Sequence, residues 1–293
     1  MYMGMKKTIL LCALALVAGA TQIALAQDNA EEEYGWKNSA VVGVNVTQVS
    51  LHNWTKGGEN SVAFILFSKN NFNRYEEGYE WKNTIKLQYG ETKAGEDDFR
   101  KNEDEIFLES MYSKKIGWAV NPYGAVQFRT QFAPGYKYTT DETTGEEVRR
   151  QISDFMDPGY LQESVGFTYS TGEEFSTRLG VALKQTFSEK YGYAMDPEDP
   201  DPDQTFRFQT GIESSTQWKK EIMKNTTLSS SLDLFSAFDK LDVWDVRWET
   251  DLTGKVNDIL SVSVNVLVIH EIAQTRKTQV KQVLALGFSY ALL

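Results

Sequence analysis

The chain has 293 residues, a formal net charge of −11 and a single cysteine, and 13% of its residues are aromatic. Its mean hydropathy of −0.43 argues against a bundle of membrane-spanning helices, which needs repeated apolar runs of roughly 18 residues or more. The aromatic content argues against a disordered chain, and the acidic balance argues against a nucleic-acid partner.

The first segment of the chain is predicted to be a secretory signal peptide. Lysines precede the apolar residues 8–18, and a small-residue cleavage pattern ends at Ala26. Cleavage after Ala26 would also remove Cys12, so the mature protein could form no disulfide. We therefore expect three parts: a signal peptide at 1–26, a periplasmic N-terminal segment at 27–38 and one folded domain at 39–293.

The remainder of the chain alternates between apolar and polar residues with a period of two. In residues 175–187, for example, Leu179 and Val181 lie on one face of an extended strand, and Arg178 and Lys184 lie on the other. The alternation extends beyond the roughly five or six residues that are usual for strands of water-soluble sheets. No comparable stripe with a helical period of 3.6 residues is present.

This alternation predicts an all-β fold with about twelve strands, an even number that suits a closed antiparallel transmembrane β-barrel formed by one chain. The predicted strands are 39–51, 61–70, 79–90, 103–114, 118–132, 160–170, 175–187, 205–216, 226–238, 243–254, 258–270 and 280–292.

The connections between these strands fall into two sets when they are counted from a periplasmic N-terminus. The two longest connections, 133–159 and 188–204, belong to the set that would face outward. Most of the shortest connections belong to the other set. Short periplasmic turns and longer outer loops are typical of outer-membrane barrels.

The last predicted strand has an unbroken alternation that ends the chain. Leu286, Phe288, Tyr290 and Leu292 alternate with small or polar residues. This strand resembles the C-terminal assembly signal of outer-membrane barrels, although the terminal residue is Leu293 where many such signals have Phe. The resemblance implies that the outer-membrane barrel assembly machinery is a partner, and the apolar face implies contact with outer-membrane lipid.

The opposite face of the predicted strands has too many charged residues for a dry protein core, where an unpaired charge is costly. We therefore expect a hydrated lumen in which oppositely charged side chains pair. Lys86 is expected opposite the 105–109 stretch, and Asp233 is expected near Arg247. The candidate lumen-facing residues are Lys82, Lys86, Glu105, Glu109, Arg129, Arg178, Arg207, Asp233, Arg247 and Glu249, joined by Gln127, Lys184, Glu213 and Asp245.

Residues 48–61 read Q-V-S-L-H-N-W-T-K-G-G-E-N-S, and further segments read R-K-N-E-D-E (100–105), T-Q-F-A-P-G-Y (130–136) and D-P-G-Y-L (157–161). With these motifs the chain, over roughly residues 36–293, resembles the bacterial outer-membrane family called domain of unknown function 3078. The resemblance implies a secreted outer-membrane β-barrel of unsettled activity and transfers no catalytic residue. We expect the most specific motif residues at the outer rim of the barrel: Asn53, Trp54, Gly57, Gly58 and Asn60.

Candidate residues for catalysis or metal binding are few. The two histidines, His52 and His270, are both predicted at the outer rim, and no serine has a convincing place beside His270 for nucleophilic catalysis. The acidic run 196–203 lacks the spacing of a calcium-binding loop and suits a solvated surface loop. We therefore expect no catalytic site, no metal and no cofactor.

Together these patterns predict a non-enzymatic β-barrel in the outer membrane of a Gram-negative bacterium. Its function would be that of a narrow channel with a polar lumen, or of a structural protein of the envelope. One alternative is an interaction or assembly partner that binds an extracellular molecule through loops 133–159 and 188–204. A second alternative is a phospholipase-like hydrolase of the barrel wall.

Overall fold

The computed structural model describes residues 34–52, 58–172, 174–196 and 201–293, and the predicted signal peptide lies outside them. Twelve of its strands form one closed antiparallel barrel, and two more form a separate hairpin. In this part of the chain, no helix is long and apolar enough to cross a membrane. The strands are β1 (Gly35–Val49), β2 (Ser61–Glu76), β3 (Tyr79–Ala94), β4 (Arg100–Lys114), β5 (Asn121–Thr130), β6 (Gly135–Thr140), β7 (Glu147–Ser153), β8 (Gly159–Thr171), β9 (Phe175–Phe187), β10 (Phe206–Met223), β11 (Thr226–Ala237), β12 (Asp245–Lys255), β13 (Leu260–His270) and β14 (Gln279–Ala291).

The ring closes where the first strand pairs with the last. β1 and β14 are antiparallel, with Val41 opposite Ala291 and Val46 opposite Leu286. The order around the ring is β1-β14-β13-β12-β11-β10-β9-β8-β5-β4-β3-β2, so only the β6–β7 hairpin stands outside it. Closure leaves no edge strand in the barrel itself, whereas an open sheet would expose the edge of the long apolar final strand to aggregation.

The predicted closed barrel of twelve strands is confirmed, but several strand boundaries were wrong. β1 begins at Gly35, within the predicted N-terminal segment 27–38, and β2 and β10 each continue for six or more residues past their predicted ends at 70 and 216. Polar residues on both faces of these extensions hide the alternation. The predicted strand 118–132 begins only at Asn121, and the predicted loop 133–159 contains the β6–β7 hairpin.

The outer wall of the barrel is apolar, which is the reverse of a water-soluble fold. On β9, Leu179 and Val181 are 61% and 49% exposed, whereas Arg178 and Ala182 on the alternate positions are buried. The same inversion recurs on the last strand, where Leu284, Leu286, Phe288 and Tyr290 are exposed. Apolar residues facing outward around a closed ladder are what a lipid bilayer requires.

The two ends of the barrel differ in the length of their connections. At one end, here called the turn end, β2–β3 and β10–β11 are joined by only two residues each, and both described chain termini lie there. At the other end, here called the loop end, the connections include residues 131–158 with the β6–β7 hairpin and residues 188–205. The predicted sorting of the connections is therefore present in the fold.

Aromatic residues gather on the outer wall near the turn end. The rings of Trp36 and Trp81 lie 6.1 Å apart, those of Tyr79 and Tyr112 stack at 5.4 Å, and the guanidinium of Arg74 lies 5.8 Å from the Trp36 ring. Aromatic girdles of this kind occupy the boundary between lipid and water.

Candidate functional site

One ion pair crosses the interior of the barrel. Arg247 on β12 donates from Nη2 to Glu105 Oε1 on β4 at 2.8 Å. β12 and β4 are six positions apart in a ring of twelve strands and therefore stand opposite each other. Arg129 Nε lies 3.4 Å from the same carboxylate oxygen. Because side chains from opposite walls meet here, the lumen is too narrow at this level for a large solute to pass.

A second cluster, centred on Arg178, joins β9 to two other strands. Arg178 Nη2 lies 2.9 Å from Glu109 Oε2 on β4, and its Nε lies 3.1 Å from Glu213 Oε1 on β10. Glu213 also accepts hydrogen bonds from Tyr123 at 2.7 Å and from Gln162 at 2.5 Å. Both Arg178 and Glu213 are buried. Each of these two charges thus has an opposite charge and further polar partners, as a buried charge requires.

Lys86 takes a different partner from the one expected. It is opposite Phe107 in the strand register, within the anticipated 105–109 stretch, and its ammonium lies 5.6 Å from the Phe107 ring. Its ion pair, however, is with Glu249 on β12 at 3.7 Å. Glu249 also accepts a hydrogen bond from Asn265 at 3.2 Å. Lys86 therefore forms its ion pair with a residue across the lumen and not with a neighbour in the sheet.

Asp233 and Arg247 are cross-strand neighbours, as expected, but they do not share an ion pair in the described structure. Asp233 instead accepts a hydrogen bond from Ser215 at 2.7 Å. Arg247 reaches across the lumen to Glu105, so the register places the two residues together without deciding their partners.

Two of the candidate lumen-facing residues lie away from the central clusters. Lys82 pairs with Glu80 at 2.8 Å near the turn end. Arg207 lies near the loop end, 3.9 Å from Asp196. The other eight candidates form the group that we call the lumenal network: Lys86, Glu105, Glu109, Arg129, Arg178, Asp233, Arg247 and Glu249.

A further polar cluster lies at the loop end and joins two predicted lumen-facing residues, Lys184 and Asp245, to one that was not predicted, Glu271. Lys184 Nζ lies 2.8 Å from Asp245 and 2.7 Å from Glu271, and its ammonium is within 5.6 Å of the rings of Tyr160 and Phe235. Lys184 and Asp245 follow the strand alternation, but Glu271 belongs to the β13–β14 connection. A connection has no periodic pattern, so no sequence signal marked Glu271.

The lumen contains two chambers in the half nearer the loop end. The larger has a volume of about 350 Å³, and the smaller has a volume of about 150 Å³. Arg129, Tyr160 and Arg247 line both chambers. The walls carry both signs of charge, including Glu103 and Lys281, which form an ion pair that the sequence analysis also missed.

The motif residues expected at the outer rim are only partly described. Asn53, Trp54 and Gly57 lie outside the described residues. Gly58 has a φ of +113°, which favours glycine. Asn60 Oδ1 accepts a hydrogen bond from the backbone of Leu51 at 2.6 Å, and its carbonyl accepts one from Gly95. Asn60 therefore ties the β1–β2 connection to the next connection at the loop end.

The histidines and acidic groups show no metal-binding arrangement in the part of the chain that the structure describes. His270 Nδ1 lies 3.1 Å from Thr278 Oγ1, and His52 is exposed. Among the described residues, no group of three or more histidine, cysteine, aspartate or glutamate side chains could hold a metal ion. Residues 197–200 of the acidic run lie outside the described ranges.

Comparison with known proteins bears out the resemblance inferred from the motifs. The model of the family described as "Protein of unknown function (DUF3078)" matches residues 46–136. No curated protein matches the chain.

Several solved structures are similar to the barrel. The COG4313 outer membrane channel from Pseudomonas putida F1 has 9% identity and a TM-score of 0.39 over 90% of this chain and 97% of its own. The translocator domain of the autotransporter NalP from Neisseria meningitidis has 8% identity and a TM-score of 0.39 over 96% of each chain. The beta domain of the Bordetella autotransporter BrkA has 9% identity and a TM-score of 0.35 over 87% of this chain and 99% of its own.

Proposed function

We propose that this transmembrane barrel, which matches the DUF3078 family model, is a narrow channel for small hydrophilic solutes in the outer membrane of a Gram-negative bacterium. The observation that carries the proposal is the ion pair between Arg247 and Glu105 across the lumen, beside two polar chambers. A purely structural barrel could be filled by packed apolar side chains. Here the interior is charged and leaves room for water.

The barrier in the lumen consists of side chains and not of backbone. Arg247, Arg129 and Glu105 retain 21%, 27% and 11% of their side-chain exposure, so solvent reaches the contact. Glu105 itself is buried, so the contact is neither a freely hydrated surface ion pair nor a fully dry one. The proposed channel is therefore small in conductance and sensitive to single charges in the lumen.

The proposed cellular setting follows from the ends of the barrel. The short connections of the turn end would face the periplasm, and the long connections of the loop end would face outward. The apolar wall would contact outer-membrane lipid. The final strand, β14, would be the segment that the barrel assembly machinery recognises.

A second candidate function is recognition of an extracellular partner by the β6–β7 hairpin. This hairpin is a two-stranded sheet outside the ring, and Lys137 and Arg150 are directly opposite each other on it, both exposed. Like charges directly opposite in a sheet destabilise it, and an anionic partner would relieve that cost. Conductance measurements separate this role from the channel role.

The channel proposal is tested with purified protein in planar lipid bilayers. We expect small current steps from the wild type and larger steps from the E105Q/R247Q double variant, because the cross-lumen ion pair is removed and the glutamine at 247 is shorter than the arginine. K82Q is the matched control, since Lys82 lies outside the lumenal network. Absence of current steps from both the wild type and E105Q/R247Q would overturn the proposal.

A further inference from the structure

The connection between β13 and β14, residues 271–278, does not stay at the rim between its two strands. β13 and β14 are hydrogen-bonded neighbours, so a connection of this length could remain above them. Its side chains instead reach β8 and β9, which lie five and four positions from β13 around the ring. We call residues 271–278 the strap.

The first attachment of the strap is an ion pair with the barrel wall. Glu271 Oε1 accepts from Lys184 Nζ on β9 at 2.7 Å, and Lys184 also donates to Asp245 on β12 at 2.8 Å. Only 10% of the Lys184 side chain and 12% of the Glu271 side chain are exposed. Charge-assisted hydrogen bonds at such burial are stronger than neutral ones, so this attachment resists solvent.

The second attachment is made by one amide group. Gln274 Nε2 donates to the Tyr160 hydroxyl on β8 at 3.1 Å and to Glu271 Oε2 at 2.5 Å. Gln274 Oε1 accepts from Gln279 at the start of β14 at 3.2 Å. This side chain therefore connects both ends of the strap to a distant strand.

A small cavity lies beside the strap. Ile272 and Ala273 line a cavity of about 50 Å³ together with Phe235, Ala237 and Val243, which lie at the loop end of β11 and in the connection after it. The strap is therefore attached to distant strands by an ion pair and an amide, and it borders a small cavity near the loop end of β11.

The other long connections at the loop end are attached to each other and to the ends of nearby strands. Tyr193 donates to the carbonyl of Ile152, and Ser188 donates to Asp157, so residues 188–205 and 131–158 are joined to one another. Arg100 at the start of β4 pairs with Glu147 of the hairpin at 2.9 Å. None of these contacts reaches the wall of the smaller chamber, whereas Glu271 and Gln274 both line it.

From this placement we infer that the strap is the size-determining constriction at the outer mouth of the channel, and that Glu271 and Gln274 are the residues that set its position. The inference rests on the proposed channel function. The strap would set the largest solute that can pass. The lumenal network below the strap would set the sensitivity of the channel to charge.

The experiment compares single-channel conductance and the size of polyethylene glycol that enters the pore. The E271Q/Q274A variant removes the charge from the first attachment and the whole amide group of the second, while Lys184 keeps Asp245. We expect its conductance to rise by about twofold or more and its polymer cut-off to increase, because pore dimensions set both quantities. E147Q/Q151A is the matched control, since it makes the same two substitutions in the hairpin, and it should behave as the wild type.

A second measurement guards against misfolding of the strap variant. Y160C/Q274C, joined by a bis(methanethiosulfonate) cross-linker that forms a disulfide with each cysteine and releases methanesulfinate, should show lower conductance than its uncoupled form, and reduction of the two disulfides with dithiothreitol should restore the current. Current from the wild type with no difference between E271Q/Q274A and E147Q/Q151A would overturn the strap inference alone. Absence of current from both the wild type and E105Q/R247Q would overturn the channel function, and this inference with it.

Discussion

Arg178 on β9 lies 2.9 Å from Glu109 on β4, although β8 and β5 stand between these strands in the ring. The contact lies inside the lumen. There Glu213 Oε1 lies 3.1 Å from the Nε atom of the same guanidinium group. One cation thus joins three strands from inside the barrel. The outer ladder closes the ring, and this cluster braces it from within.

Loss of the Arg178 charge should destabilise the barrel strongly. R178M would leave Glu109 and Glu213 buried without their cation, which typically costs about 3–5 kcal/mol. We expect the urea midpoint of unfolding in lipid vesicles to fall accordingly. The exposed Arg149 provides the control, since R149M should change the midpoint little. A triple variant R178M/E109Q/E213Q should recover much of the loss, and an R178M midpoint equal to that of R149M would contradict the role of the cluster.

Single substitutions at the cross-lumen pair should change ion selectivity in opposite directions. E105Q leaves Arg129 and Arg247 without their shared carboxylate and should favour anions, whereas R247Q should favour cations. We expect a change of about twofold or more in the permeability ratio, since rings and pairs of charge in a narrow pore govern selectivity. The reversal potential in a potassium chloride gradient measures this ratio. Shifts of the same sign in both variants would show that the pair does not line the conduction path.

A steric contact at Gly180 should make β9 sensitive to a single methyl group. A Cβ at Gly180 would lie 2.4 Å from the hydroxyl oxygen of Tyr123 and 2.5 Å from the carbonyl oxygen of Val165. G180A should therefore displace Tyr123 from Glu213 and lower stability by about 1–3 kcal/mol. A Cβ at Gly124 on β5 would have no other atom within 4 Å, so G124A should be tolerated. The measurement is the temperature at which each variant loses its folded band on a gel. Equal temperatures for G180A and G124A would contradict this prediction.

The tip of the β6–β7 hairpin should respond to acid. Backbone N–H groups of Thr144 and Thr143 donate to Asp141, at 3.0 and 2.7 Å, and these bonds hold the pKa of Asp141 below its ordinary value. Because the folded-state pKa is the lower one, the stabilising contribution is present above the unfolded value of about 3.9 and is lost as the pH falls through the folded value. The protection of the Thr143 and Thr144 amides against hydrogen exchange, measured relative to their intrinsic rates, should therefore fall in acid.

The matched variant for this turn is D141N. Asparagine can accept the same backbone hydrogen bonds but has no carboxylate to protonate. Its exchange rates, corrected for intrinsic chemistry, should be independent of pH over the same interval. A pH response in D141N as large as in the wild type would assign the effect to another group.

The residues that face lipid could be predicted from the sequence, because strand geometry alone decides them. Successive side chains point to opposite faces, so the order of Arg178, Leu179 and Val181 along the chain already separates the lumen from the wall. For the same reason the final strand, with Leu286 and Phe288 on one face, could be recognised as a barrel strand. The closed all-β architecture follows from this local alternation and from the sorting of long and short connections.

The pairing inside the lumen was decided only by the tertiary structure. Lys86 is opposite Phe107 but pairs with Glu249, and Arg247 is opposite Asp233 but pairs with Glu105. These partners depend on which strands face each other once the ring has closed, and that relation is absent from any one strand. Glu271 is the extreme case, since it lies in a connection with no periodicity. Local geometry assigns each side chain to a face, whereas ring closure determines which side chains meet across the lumen.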